Sequence, residues 1–116
     1  VKTKAGKNRI VPIHPKIKYI IQNRMECSQS GYLFENNGKK WKEGAYRSVW
    51  ADFMHTLHMN HVPHECRHTF RSRLDSAGAN KVCMDRIIGH KSSDVGERVY
   101  THKTLQELKD TIALLN

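Results

Sequence analysis

A histidine and two arginines at helical spacing are the residues of this sequence best suited to bind an anion. His64, Arg67 and Arg71 stand at positions i, i+3 and i+7, so they share one face of a helix. The start of a helix leaves backbone N–H groups unpaired, and a guanidinium offers a charged fork for two oxygens. This face therefore favours a phosphate. Alone, a His-x-x-Arg pair is weak evidence, because the same spacing also occurs in solvated surface pairs.

Two more polar groups follow this segment. Gly89-His90 closes the next helical pattern, and Tyr100-Thr101-His102 begins ten residues after His90. The polar neighbours of Tyr100 and the glycine-containing loop before it favour an exposed hydroxyl over a core tyrosine. His90 has an alternative role as a group at a helix C-terminus that interacts with the helix dipole.

Hydrophobic periodicity predicts that these groups are positioned mainly by helices. Pro15 is expected to open the first helix, Gly78 and Gly89 to end the third and fourth, and Thr104 to Glu107 to form a capping box at the start of the last. The predicted helices run from Pro15 to about Cys27, about Glu43 to His58, Pro63 to Ala77, after Asn80 to Gly89, and from Thr104 onward.

The segment from Val1 to Ile13 is predicted to be a β-hairpin, with its turn at Ala5-Gly6 and its second strand from Arg9 to Ile13. The turn-rich stretch from Ser28 to Lys40 is predicted to be a loop. The fold class is then α+β and predominantly α-helical: a small N-terminal hairpin followed by about five helices. We expect one domain over residues 1–116.

Apolar stripes indicate which helix faces pack. The stripe of the second helix is predicted to be core and comprises Ala45, Val49, Phe53 and Leu57, widened by Trp50 and Met54. In the third helix an apolar face beside the basic one comprises Cys66, Phe70, Leu74 and Ala77. The last helix has a narrow seam of Leu105, Leu108, Ile112 and Leu115, which packs either on its own domain or on a neighbouring protomer.

The composition favours a polyanionic partner over a merely basic soluble domain. Lys and Arg number 20 against 11 Asp and Glu, and residues 1–25 hold seven of these cations with no carboxylate. The three cysteines have no paired spacing, which fits a reducing cytoplasm. No apolar run approaches the roughly 18 residues that span a bilayer, so we expect no membrane association.

In order, these motifs resemble the catalytic domain of the tyrosine recombinases, the phage integrase family. That family carries a His-x-x-Arg helix, then a Leu/Ile-Gly-His turn, then a Tyr often followed by Thr/Ser-His, and His64 to Arg67, Ile88 to His90 and Tyr100 to His102 match all three. Thr3 to Lys7, followed by Arg9 to Ile13, is similar to its lysine-bearing β-hairpin. The resemblance covers nearly the whole chain.

The resemblance implies a role for each matched residue. Tyr100 would attack the scissile phosphorus and leave a 3′-phosphotyrosyl link with a free 5′-hydroxyl. Arg67 would bind the non-bridging oxygens, Lys4 would protonate the leaving 5′-oxygen, His64 would accept or relay the tyrosine proton, and His90 would donate a hydrogen bond to the phosphate. A covalent intermediate conserves the energy of the phosphodiester, so we expect no cofactor, neither ATP nor a metal.

The partner that the resemblance implies is double-stranded DNA, with a homo-oligomer, a tetramer, assembled on it through residues 104–116. Further DNA contacts are expected from Lys2, Lys7, Arg9, Arg71 and Lys91. Without the resemblance, nothing in the sequence distinguishes Lys4 from Lys2 or Lys7 as the catalytic lysine.

The chain departs from the family pattern in one respect. These enzymes use a second arginine upstream of the lysine hairpin and a separate core-binding domain, and neither is found in residues 1–116. We therefore expect a piece of a longer protein that is inactive or severely impaired by itself. Two alternatives are a non-catalytic basic DNA-binding module and a metal site; the histidines considered for the latter are His55, His58, His61, His64 and His68.

Overall fold

The computed structural model describes residues 8–90 and 103–116. This part of the chain holds five helices and one two-stranded antiparallel sheet. The elements are α1 (Pro15–Cys27), β1 (Glu35–Asn36), β2 (Lys39–Lys40), α2 (Glu43–Thr56), α3 (Pro63–Ser76), α4 (Lys81–Ile88) and α5 (Leu105–Ala113). The α+β, predominantly helical fold class is confirmed, and all five helices lie where the sequence predicts them, with each predicted end within two residues of the observed one.

The chain divides into two compact units. One contains Val1–Pro15 and Arg67–Asn116, and the other contains Lys16–Cys66. The boundary falls within α3, one turn after its start. Within the described residues, no helix is long and apolar enough to cross a membrane.

Helix α4 is the centre of the first unit. Two pairs of side chains four residues apart, Cys83 with Ile87 and Met84 with Ile88, are each at most 3% exposed. The first pair packs with Leu108 and Ile112 of α5, and the second packs with Leu74 of α3. Phe70 contacts both clusters, so α4 is held between α3 and α5. The position of its C-terminal end is thereby fixed.

Local signals set the ends of α4 and α5. The Asn80 side chain accepts hydrogen bonds from Val82 N and Cys83 N, at 3.0 and 3.2 Å, and so caps α4. Thr104 and Glu107 form the predicted capping box, with Glu107 N to Thr104 Oγ1 at 3.2 Å and Thr104 N to Glu107 Oε2 at 2.7 Å.

The predicted second strand of the N-terminal hairpin is wrong, because residues 8–13 form no strand. Instead, this segment bonds to the ends of two helices. Arg9 Nη1 donates to the Ile88 carbonyl at the end of α4, and His14 Nε2 lies 2.8 Å from the Leu115 carbonyl just after α5. Carbonyls at helix C-termini lack intrahelical partners, which makes them good acceptors for such side chains. Residues 1–7, with the first predicted strand and the turn, lie outside the described residues.

The observed sheet lies in the stretch predicted to be a loop. Glu35 pairs with Lys40 and Asn36 with Lys39, around a two-residue turn of Asn37 and Gly38. Both turn residues have positive φ, 50° and 71°, as a type I′ hairpin turn requires. The Asn-Gly dipeptide was the signal for this hairpin.

The Glu35 carboxylate organises the loop before that hairpin. It accepts hydrogen bonds from Gln29 N at 3.0 Å, Ser30 N at 2.8 Å, Ser28 Oγ at 3.2 Å and Ser30 Oγ. The Ser30 hydroxyl is the largest cause, ahead of the two backbone amides, of a pKa for Glu35 of about 2, below its ordinary value of 4.5.

We expect Ser30→Ala to raise the pKa of Glu35, because it removes the strongest of these donors. Since the folded pKa is depressed, this carboxylate stabilises the unit above about pH 4.5, and that contribution is lost as pH falls toward 2. An NMR titration of the Glu35 side-chain carbon measures the shift. Ser48→Ala is the matched control, because its hydroxyl donates to the Gly44 carbonyl and not to Glu35. An unchanged pKa in Ser30→Ala would contradict the assignment.

In the second unit, the predicted core stripe of α2 is mostly wrong. Val49, Phe53 and Leu57 are 46–54% exposed, and Ala45 is also exposed. Met54 is buried, and Trp50 is half-buried with its indole N–H donating to the His61 carbonyl at 2.7 Å. A unit of two helices and a small sheet has little surface with which to cover a wide apolar stripe.

The seam of α5 follows its prediction in part. Leu108 and Ile112 are buried and Leu115 packs on Leu74, Met84 and Ile88, whereas Leu105 is 48% exposed. In α3, Phe70 and Leu74 pack as predicted, but Cys66 and Ala77 are exposed.

Candidate functional site

Helix α3 holds two of the predicted site residues, Arg67 and Arg71, at the edge of the core. Leu74 is 0% exposed and Phe70 packs against both core clusters, so the apolar face of α3 is fixed. Arg67 and Arg71 lie one turn apart beside that face and are both half-buried. Their charged groups are therefore partly withdrawn from water.

Positive charge accumulates around Arg67. Its pKa is lowered by partial burial and then by the charges of Arg9 and Arg71. A guanidinium stays protonated in proteins, so this lowering expresses an unfavourable environment and not a loss of charge. Among the described residues, the two charged groups that lower the pKa of Arg67 are themselves cations. Such an arrangement is relieved when an anion binds among them.

Arg9 reaches this cluster from the N-terminal segment. Its guanidinium donates to the Ile88 carbonyl, which belongs to the last residue of α4. The partial negative charge of a helix C-terminus favours a cation there. This contact ties Arg9 to the same helix end that carries His90.

His90 is placed by the left-handed turn that ends α4. Gly89 has φ +78° and ψ +34°, a conformation that suits glycine. The amides of Gly89 and His90 both donate to the Asp85 carbonyl, at 2.8 and 2.9 Å. The His90 side chain is exposed, and its Nδ1 lies 2.8 Å from Arg71 Nη1. Arg9, Arg71 and His90 thus meet at the C-terminal end of α4.

Asp85 is a site residue that the sequence analysis missed. It is only 7% exposed, and its Oδ1 lies 3.6 Å from Arg71 Nη2, within ion-pair range but too far for a hydrogen bond. Within the described residues this Oδ1 has no hydrogen-bond partner. The available signal was a carboxylate on a short helix in which Cys83, Met84, Ile87 and Ile88 are apolar, since a charge buried on such a helix needs a partner.

Six other residues were predicted for the site. His64 is exposed in the first turn of α3 and belongs to the unit of residues 16–66. Five more lie outside the described residues: Lys2, Lys4, Lys7, Lys91 and Tyr100. Their roles remain predictions. Across the described residues, no group of three or more His, Cys, Asp or Glu side chains is placed to hold a metal ion.

Comparison with known proteins agrees with the order of the motifs. Residues 1–107 match the profile of the phage integrase family. The tyrosine recombinase XerA of Pyrococcus furiosus is 28% identical over 119 residues, which cover 97% of this chain and 41% of that protein. The integrase of Escherichia phage P2 is 28% identical over 98% of this chain and 31% of its own length. The tyrosine recombinase XerC of Thermodesulfovibrio yellowstonii is 28% identical over 93% of this chain and 40% of its own. No solved structure matches.

The chain belongs to the phage integrase family of tyrosine recombinases. The resemblance read from its motifs is thereby confirmed. The chain spans about a third to two fifths of the length of these curated relatives.

Proposed function

We propose that this chain carries the nucleophile and part of the phosphate-binding site of a site-specific DNA recombinase. Tyr100 attacks a DNA phosphorus, the 5′-oxygen of the broken strand leaves, and a 3′-phosphotyrosyl bond forms. Attack by a 5′-hydroxyl of the partner strand reverses the step and releases the tyrosine. The number of phosphodiester bonds is conserved, so the reaction needs no external energy source.

The observation that carries the proposal is that the charges of Arg9 and Arg71 both act on Arg67, and that Arg71 also contacts His90. Like charges held close together in a partly buried site repel one another, which raises the free energy of the folded protein. An anion bound between them removes this repulsion. A phosphodiester in its transition state concentrates negative charge on two non-bridging oxygens. Arg67 binds those oxygens, and His90 donates to one of them. His64 takes or relays the proton of Tyr100, and Lys4 protonates the leaving oxygen.

The proposed DNA partner also fits the excess of nine positive charges. In this reading Lys2, Lys7, Arg9 and Lys91 contribute cations toward the DNA backbone. We further propose that residues 1–116 alone are inactive or severely impaired, because a second arginine is needed to complete the phosphate site.

A covalent trapping experiment tests the proposal. The full-length gene product is incubated with nicked suicide duplexes taken from genomic fragments that it binds. Mass spectrometry then locates any nucleotide attached through phosphate. We expect the adduct on Tyr100. Bound DNA with no adduct would favour the non-catalytic DNA-binding module.

We also propose that the protein assembles as a tetramer on DNA through residues 104–116. Leu108 and Ile112 are buried within their own unit and are not accessible to a second copy of the chain. Leu105 and Leu114 are 48% and 41% exposed, so these two side chains are the ones against which a second copy packs.

Leu105→Ser is expected to weaken cooperative binding to paired half-sites about tenfold, because burying a leucine contributes about 1.5–3 kcal/mol. Binding to a single half-site should not change, and gel-shift titrations on the two DNAs measure both. Ile20→Ser, at a position 46% exposed on α1, is the control. Equal losses on the two DNAs would argue against assembly through this helix.

A further inference from the structure

Three contacts link α3 to the end of α4 around one imidazole. Arg71 Nη1 is 2.8 Å from His90 Nδ1, and Arg71 Nη2 is 3.6 Å from Asp85 Oδ1. The Asp85 carbonyl also accepts the backbone amide of His90 at 2.9 Å. The residue that receives Arg71 thus also fixes the backbone of His90.

The chemistry of a guanidinium determines the direction of the Arg71–His90 hydrogen bond. Every polar hydrogen of arginine is a donor, and the group has no acceptor. Nδ1 of His90 must therefore accept, which leaves the ring proton of the neutral imidazole on Nε2. With Nδ1 occupied, Nε2 is the nitrogen that can donate to another group.

Asp85 makes this arrangement specific for Arg71. A carboxylate that is 7% exposed requires a nearby cation, and Arg71 is the cation that lies within ion-pair distance of it in the described structure. The ion pair restrains the guanidinium on one side while its other nitrogen faces His90. Arg71 is half-buried and Asp85 is almost fully buried, so water competes less for their ion pair than at an open surface.

We propose that Arg71 is a positioning residue for His90: anchored by Asp85, it donates to Nδ1, fixes the Nε2–H tautomer and directs that N–H as the donor to the bound phosphate. Arg71 was expected to contact DNA directly, whereas here it acts through His90. The contact with phosphate rests on the proposed function, and the tautomer does not.

An NMR experiment tests the tautomer without DNA. The full-length gene product is labelled with ¹⁵N,¹³C-histidine, and the His90 signals are identified by their loss in His90→Gln. In the neutral imidazole of His90, we expect Nδ1 to be pyridine-like and Nε2 pyrrole-like in a single tautomer. Arg71→Met should produce a mixture, and Arg73→Met, on the exposed part of the same helix, should not. An Nδ1–H or mixed tautomer in the unaltered protein would overturn the proposal.

A double-mutant cycle tests the functional step. Arg71→Met is expected to slow strand cleavage roughly tenfold or more, as misplaced catalytic groups do. In a His90→Gln background the same change should have less than about a twofold effect. Asp85→Asn keeps the side-chain shape and should also slow cleavage and produce a mixture of His90 tautomers. This variant replaces Arg71→Met in the test if Arg71→Met folds poorly.

The outcomes separate the two proposals. Equal losses from Arg71→Met in both backgrounds, with a shallower salt dependence of DNA affinity, would mean that Arg71 contacts DNA directly and would overturn positioning. If the unaltered protein cleaves no DNA, the proposed function fails, and the NMR result alone still decides whether Arg71 fixes His90.

Discussion

Tyr100→Phe is expected to abolish the covalent DNA adduct and all strand joining. Phenylalanine keeps the aromatic ring and removes only the hydroxyl, so the nucleophile is lost with little change of shape. Removing a nucleophile from a set of groups that act together costs about 10⁴-fold or more in rate. DNA affinity should change by less than about fivefold, because one hydrogen bond contributes about 1 kcal/mol. Adduct formation on a suicide duplex and a binding titration on the same DNA measure the two effects.

The control for this substitution is Tyr19→Phe. Tyr19 lies on α1, is 63% exposed and is assigned no role in the reaction. It should form as much adduct as the unaltered protein. If Tyr100→Phe retained adduct formation, another residue would be the nucleophile. If the unaltered protein bound DNA and never formed an adduct, the chain would be a binding module without chemistry.

The parts of the fold that the sequence predicted are those set by local signals. Pro15 opens α1, Asn80 caps α4, Gly89 ends it in a left-handed turn, and Thr104 begins the capping box of α5. Each signal acts within about four residues, through backbone groups that must be satisfied wherever the helix packs. Such features are readable from a single sequence.

The predictions that failed depended on partners far along the chain. The predicted strand of residues 9–13 needed a neighbouring strand, and Arg9 bonds instead to Ile88, 79 residues away. The α2 stripe at Val49 and Phe53 had the right spacing for a core, but spacing does not say what covers a helix face. The Asn37-Gly38 hairpin was a local feature and could have been predicted.

The candidate site divides in the same way. His64, Arg67 and Arg71 could be assigned to one helix from their spacing, and His90 from its turn. The link from Arg71 to His90 spans 19 residues and exists because α4 packs against α3 through Leu74, Met84 and Ile88. Asp85 was missed for the same reason, since its role as an ion-pair partner depends on Arg71, which tertiary packing brings next to it.

Arg67→Met is expected to lower the rate of DNA cleavage by about 10²–10³-fold, the usual loss when one preorganised donor to a developing negative charge is removed. Methionine keeps an unbranched apolar stem, so packing is largely preserved. The cleavage rate of Arg67→Lys should lie between those of the unaltered protein and Arg67→Met, because an ammonium keeps the positive charge but lacks the bidentate fork. Single-turnover cleavage of a suicide duplex by the full-length gene product measures these rates.

Arg67→Met should raise the stability of the protein although it lowers the cleavage rate. Burial and the charges of Arg9 and Arg71 all act against the Arg67 charge in the free protein, so its removal should raise the thermal midpoint. The gain should shrink at high salt, which screens the repulsion. Inorganic phosphate should stabilise the unaltered protein and have less effect on Arg67→Met, since the anion is bound by the folded state.

Arg73→Met is the matched control, because Arg73 is an exposed cation of the same helix and is not among the charges that act on Arg67. It should alter neither the cleavage rate nor the response to phosphate. A large fall in the midpoint of Arg67→Met would mean that Arg67 supports the fold. Loss of activity together with a gain in stability marks a charge that is unfavourable in the free protein and is held for the phosphate that it binds.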